Sequence, residues 1–137
     1  MPILEVMWSA VSPDSGRFPA AGMVTSTVED LRARIRMLRH GGAGYLEIAT
    51  PERLFPALFV AFGGEHAVLH YQADEDTSLF QLYGDDSVPA DETAEVFILD
   101  GIMPFPGDCV MLLDHAIEVM EEFVRTGAVG DHPRWAT

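Results

Sequence analysis

Four groups of residues in this chain could do chemistry: Cys109, the pair His66 and His70, the glycines of HGGAGYLEIA at 40–49, and a large surplus of carboxylates. A cysteine placed before a helix can become a nucleophile, because the helix N-terminus lowers a thiol pKa. Asp108 opposes this, since a neighbouring negative charge disfavours the thiolate. No cysteine-centred signature surrounds it, and no Gly-x-Ser-x-Gly elbow offers a serine in its place. On a helix, His66 and His70 would share one metal ion. They fall instead in a β-rich run, where four residues span ~13 Å at ~3.3 Å per residue. Cys-x-x-Cys, His-Glu-x-x-His and EF-hand patterns are absent, so neither a metal nor a cofactor is expected. The carboxylates lie in acidic loops with no apolar pocket to shift a pKa, so no catalytic residue is assigned and the chain is not expected to be an enzyme.

The glycines raise the possibility of a phosphate cradle. Such a loop follows a strand and opens a helix, whose N-terminal amides face the anion. Here the order is reversed. STVEDLRARIRMLRHGG at 26–42 reads as a helix, with Val28, Leu31, Ile35 and Leu38 at helical spacing. Ser26 stands three residues before Glu29 as in a capping box, and Arg36 and Arg39 occupy the last turn. Gly41 and Gly42 then close the helix, and Tyr45 to Ile48 reads as a strand. The glycines make a corner at the negative end of a helix dipole.

The remaining elements must position whatever surface the protein uses. Pro2 to Trp8 reads as a first strand, SPDSGRFPAAG as a loop, and Met23 to Thr25 as a short strand. Two apolar runs, Pro56 to Phe62 and His66 to Tyr71, flank Gly63-Gly64-Glu65 and predict a hairpin. Ser78 to Tyr83 and Glu95 to Leu99 suit further strands around the acidic loop GDDSVPADET. Met111 to Thr126 predicts a second helix, with Leu113, Ala116, Ile117, Met120, Phe123 and Val124 on its apolar face and Gly127 as its stop. Asp114, Glu118, Glu121 and Glu122 line its outer face as like charges, opposed in sequence only by Arg125. Trp135, close to the end, predicts that the C-terminus is tied down. The pattern predicts an α+β fold spanning 1–137 as a single domain, a mostly antiparallel sheet with two principal helices packed on it.

The charge distribution is one-sided. The 137 residues carry 22 acidic and 8 basic side chains, a net charge of −14, and every basic one is arginine. None falls between Arg53 and Arg125. Such a field repels nucleic-acid phosphates and anionic lipid, and draws basic proteins from a distance. No direct nucleic-acid or membrane partner is expected. The lone Cys109 forbids an internal disulfide, the opening residues lack the basic region of a signal peptide, and Phe55 to Phe62 falls far short of the ~20 residues that span a bilayer. A soluble, cytoplasmic protein is expected.

Several segments carry a family pattern. GGAGYLEIA at 41–49, ALFVAFGGEHAVLHY at 57–71, EVFILDGIMPFPGDCVMLLDHAIEVMEEFVRTG at 95–127 and the closing Arg134-Trp135 resemble immunity protein family 1 of bacterial polymorphic toxin systems. The likeness covers about residues 25–137, and its most telling part is the order of the pieces. It implies an α+β protein without catalytic activity or cofactor, made to protect its producer from a cognate toxin, often a nucleic-acid-modifying one of the deaminase type. The recurring residues match Gly42, Gly44, Tyr45, Phe105, Pro106, Thr126, Gly127 and Trp135, and fold-keeping roles are implied for them. Ala128 to His132 makes the link to Arg134-Trp135 longer than the common pattern.

Charge leads to the same class of function. A toxin that handles DNA or RNA needs a basic cleft, and an inhibitor that occludes it should be acidic and gain association rate from long-range steering. The residues expected to meet it are Asp74, Glu75, Asp76, Asp85, Asp86, Asp91 and Glu92, with Phe80 or Tyr83 as an anchor. Two alternatives stand beside this. One is a small enzyme or small-molecule-binding domain using Cys109, His66 or His70; the other is a plain acidic adaptor.

Overall fold

The computed structural model describes residues 4–51, 53–76, 79–99, 101–130 and the backbone of 134–136. The order is β1 (Glu5–Ser12), β2 (Gly16–Phe18), β3 (Val24–Thr27), α1 (Val28–Gly41), β4 (Ala43–Ala49), β5 (Ala57–Gly63) and β6 (His66–Gln72). There follow β7 (Phe80–Leu82), β8 (Thr93–Ile98), β9 (Gly101–Pro106), a 3₁₀ turn (Gly107–Cys109), β10 (Met111–Leu112), α2 (Leu113–Thr126) and β11 (Arg134–Ala136). This is the expected α+β arrangement, two helices on a large antiparallel sheet.

The main sheet runs β11-β7-β6-β5-β4-β1-β2, with β3 also on β1 and β10 on β6. Side chains alternate across a strand, and both faces of its centre are covered. Leu58, Val60 and Phe62 of β5 turn to the core beneath the helices, with Leu46, Ile48, Leu69, Leu31 and Phe123. Ala61 of the same strand joins Tyr45, Val68, Val96, Phe97 and Val110 in a second core on the other face. The β8–β9 hairpin closes that face, reaching the sheet where Phe97 pairs with Phe62. Double coverage explains why ALFVAF is apolar throughout instead of alternating.

Local chemistry fixes the helix ends, with one difference from the capping expected at Ser26. Thr27 is the N-cap of α1, its Oγ1 accepting from Asp30 N at 3.2 Å. Ser26 instead accepts a hydrogen bond from Trp8 Nε1 at 2.9 Å. At the far end Gly42 adopts φ 95°, a left-handed conformation that costs glycine little, and its N–H reaches the Leu38 and Arg39 carbonyls. Gly127 ends α2 in the same way.

Three further differences have physical causes. Gly16–Phe18, inside the expected loop, forms an edge strand, because Ser12 to Gly16 folds back on β1. Residues 101–106 form β9, whose prolines mask its strand character in sequence. The acidic stripe of α2 is also relieved in space. Arg32 of α1 grips Glu121 through two hydrogen bonds of 2.6 Å, and Arg39 holds Glu65 and Asp114, the latter at 2.8 Å. The backbone of β11 pairs with β7, so the C-terminus is tied down as expected; the Trp135 side chain and Ser78 lie outside the described residues.

Candidate interaction surface

The acidic residues expected to meet a partner do not form one patch. Asp74, Glu75 and Asp76 are exposed in the turn between β6 and β7, where Asp74 Oδ1 accepts from Asp76 N at 2.9 Å. Asp86, Asp91 and Glu92 are exposed in the β7–β8 connection, which packs at the base of the β8–β9 hairpin: Gly107 N donates to Glu92 O at 2.8 Å. There a Cβ on Gly107 would lie 2.0 Å from Pro89 O, so only glycine permits the approach. The first group belongs to the opposite end, since Leu79, three residues after Asp76, lines a groove with Leu99 at the hairpin tip. Strands of six residues separate the two ends by ~17 Å at ~3.3 Å per residue.

Asp85 has a different setting from its neighbours. Its carboxylate accepts from Ser87 N at 3.0 Å and Leu112 N at 2.9 Å, and His115 Nδ1 stands 3.3 Å away. Burial pushes its pKa up, but the hydrogen bonds from Ser87, Leu112 and His115 outweigh this and bring it down to about 2. Asp85 thereby ties the β7–β8 connection to the start of α2. Phe80 is half-buried, and its alternation with Gln81 turns it to the helix side, whereas Tyr83 is exposed. Glu75, Asp76, Asp86, Asp91, Glu92 and Glu95 form no ion pair among the described residues.

Cys109 is buried, and burial followed by the charge of Asp108 pushes its thiol up to about 11, so it is protonated at neutral pH. His70 is lowered by burial and stacks edge-on against Phe105, with centroids 6.2 Å apart. His66 lies near the β5–β6 turn, paired with Gly63. No cluster of three potential metal ligands occurs among the described residues. No helix among them is long and apolar enough to cross a membrane.

Several of the residues implied to keep the fold can be placed. A Cβ on Gly44 would lie 2.9 Å from the Phe62 ring. Burial and the charge of Glu47 raise the Tyr45 hydroxyl pKa, leaving a neutral phenol in the outer core. Pro106 leads into the 3₁₀ turn, and Thr126 Oγ1 donates to Glu122 O at 2.8 Å beside Gly127. Residues 20–137 match the family described as Immunity protein Imm1. The chain belongs to this Imm1 family. No curated protein matches it.

Membership gives an Imm1 protein a cognate toxin as partner, which makes its exposed apolar residues as relevant as its charges. Leu99, Ile102 and Met103 on the β8–β9 hairpin are exposed, as is Leu79, which shares a groove with Leu99. Sequence reasoning did not single these out. The signal was present: Asp100-Gly101 between two apolar runs is a hairpin cue, overshadowed by the prolines that follow.

Proposed function

We propose that this Imm1 protein neutralises a basic, nucleic-acid-handling toxin, of the deaminase type that often accompanies the family, by binding over its active site or substrate channel. It acts stoichiometrically in the cytoplasm of the producing cell, without catalysis or cofactor. Family membership carries the immunity role. Charge supports the class of toxin: a net charge of −14, with Glu75, Asp76, Asp86, Asp91, Glu92 and Glu95 forming no ion pair among the described residues, suits a cleft built to hold phosphates. Asp74, Glu75 and Asp76 at one end of the hairpin, and Asp86, Asp91 and Glu92 at the other, steer the encounter. Asp85 contributes by holding the second group in place, and Tyr83 is the more accessible of the two proposed anchors.

Co-expression with the toxin encoded by the adjacent upstream gene, in a host that the toxin kills, tests this directly. Rescue together with co-purification of a 1:1 complex is expected. Death of the host despite soluble expression would remove the immunity reading, and rescue from a toxin with no nucleic-acid activity would remove its narrower form.

A further inference from the structure

We propose that the tip of the β8–β9 hairpin, through Leu99, Ile102 and Met103, is the apolar anchor that grips the basic toxin, an inference that rests on the immunity reading above.

Two observations single out this tip. Leu99 opens the two-residue connection between the paired Ile98 and Gly101 and has φ 58°. Left-handed backbone at a hairpin turn favours glycine or asparagine, and a branched side chain there is strained. Leu99 gains little burial in return, being 60% exposed. The second observation is that Ile102 and Met103, consecutive on β9 and therefore on opposite faces of the hairpin, are 61% and 50% exposed, so large apolar side chains meet water on both sides of the tip. Leu99 also lines, with Leu79 and Ile98, the groove over Tyr45 and Phe59.

The edge of β9 shows how contact is made. Gly107 N bonds Glu92 O, so in antiparallel register residues 101, 103 and 105 point their amides toward β8, while 102, 104 and 106 point theirs away. Pro104 and Pro106 have no N–H at two of those three outward positions, so β9 is a poor template for an added strand. Recognition therefore runs through side chains, an exposed apolar anchor of the kind that dominates interface energies.

Charge selects the occupant. Glu95 is exposed on β8 opposite Pro104, the acidic turn at 74–76 adjoins Leu79, and no lysine or arginine lies between 54 and 124. A second copy of this chain would bring a further −14, and lipid or nucleic acid would add like charge. A basic protein surface with an apolar recess at its centre is complementary.

The test uses the full chain and a catalytically inactivated form of the toxin encoded next to it, with association and dissociation measured separately. Leu99→Asn combined with Ile102→Ser should speed dissociation at least about tenfold and leave the association rate within about twofold. The fold control is thermal unfolding: Leu99→Asn alone should hold or raise the midpoint by a few degrees, because asparagine accepts the turn conformation. Neutralising Asp74, Glu75 and Asp76 together should instead slow association. Unchanged dissociation in the doubly substituted protein, with wild type still bound, overturns the anchor and leaves the immunity role standing. Absence of binding by wild type overturns both. A wild-type dimer that the double substitution dissolves while toxin binding persists assigns the tip to self-association and also overturns the proposal.

Discussion

Asp85 shows how a residue's type can be legible while its task is not. In sequence it is one of several loop acids; in space its carboxylate collects the Leu112 and Ser87 amides and faces His115. Its folded pKa of about 2 lies below the ordinary carboxylate value, so its contribution is complete above that value and disappears as pH falls through about 2. Asp85→Asn should therefore cost about 1–2 kcal/mol at pH 7, and the gap from wild type should narrow between about pH 4 and pH 2, as read by urea unfolding across pH. Gly107 makes the opposite point, because its necessity is invisible until Pro89 lies against it. Gly107→Ala must displace backbone and should cost upward of about 2 kcal/mol, more than Gly44→Ala, whose added methyl meets side chains of Phe62 and Leu38 that can shift. Thermal unfolding of the two variants side by side checks that order.

Among the elements, those with local periodicity were readable. Both helices lie within a few residues of where the apolar spacing of Val28, Leu31, Ile35 and Leu38, and of Leu113 to Val124, predicts them. The β5–β6 hairpin follows its glycine turn. Strands whose partners are remote or whose composition is atypical were not readable: β2 has three exposed residues, and β9 carries two prolines. The role of β1 depends wholly on such remote partners. The family match begins at residue 20, yet β1 pairs with β4 and β3 and buries Val6, Trp8 and Ala10 in the core beneath the helices. Loss of Trp8 alone would cost about 3–5 kcal/mol, and removal of β1 would also open the edge of β4. Against a typical total of about 5–15 kcal/mol, a chain beginning at residue 20 should not fold. Its circular dichroism and solubility beside the full chain provide the check.

For the whole molecule, charge was legible in amount and only partly in distribution. The stretch without a basic residue is adjacent to α1 in space, and Arg32 and Arg39 lend it two cations across the helix seam. Those pairs are partly exposed, so each contributes under about 1 kcal/mol, and salt weakens them. Self-repulsion among the remaining acids is screened by the same salt and is the larger effect at −14. Raising sodium chloride from about 0.02 to 0.5 M should thus lift the unfolding midpoint by a few degrees while slowing capture of a basic toxin, opposite trends that calorimetry and stopped-flow mixing would separate.

The prolines of β9 matter as well in the period before any toxin arrives. An immunity protein must wait in readiness, and a hairpin with bare leucine, isoleucine and methionine is the sort of structure that ordinarily nucleates stacking between stored copies. Because Pro104 and Pro106 leave gaps along the free edge, a neighbouring copy finds no continuous ladder to extend, and mutual repulsion holds it at a distance. On the anchor proposed above, the same two prolines that shape the binding end also disfavour strand addition between stored copies.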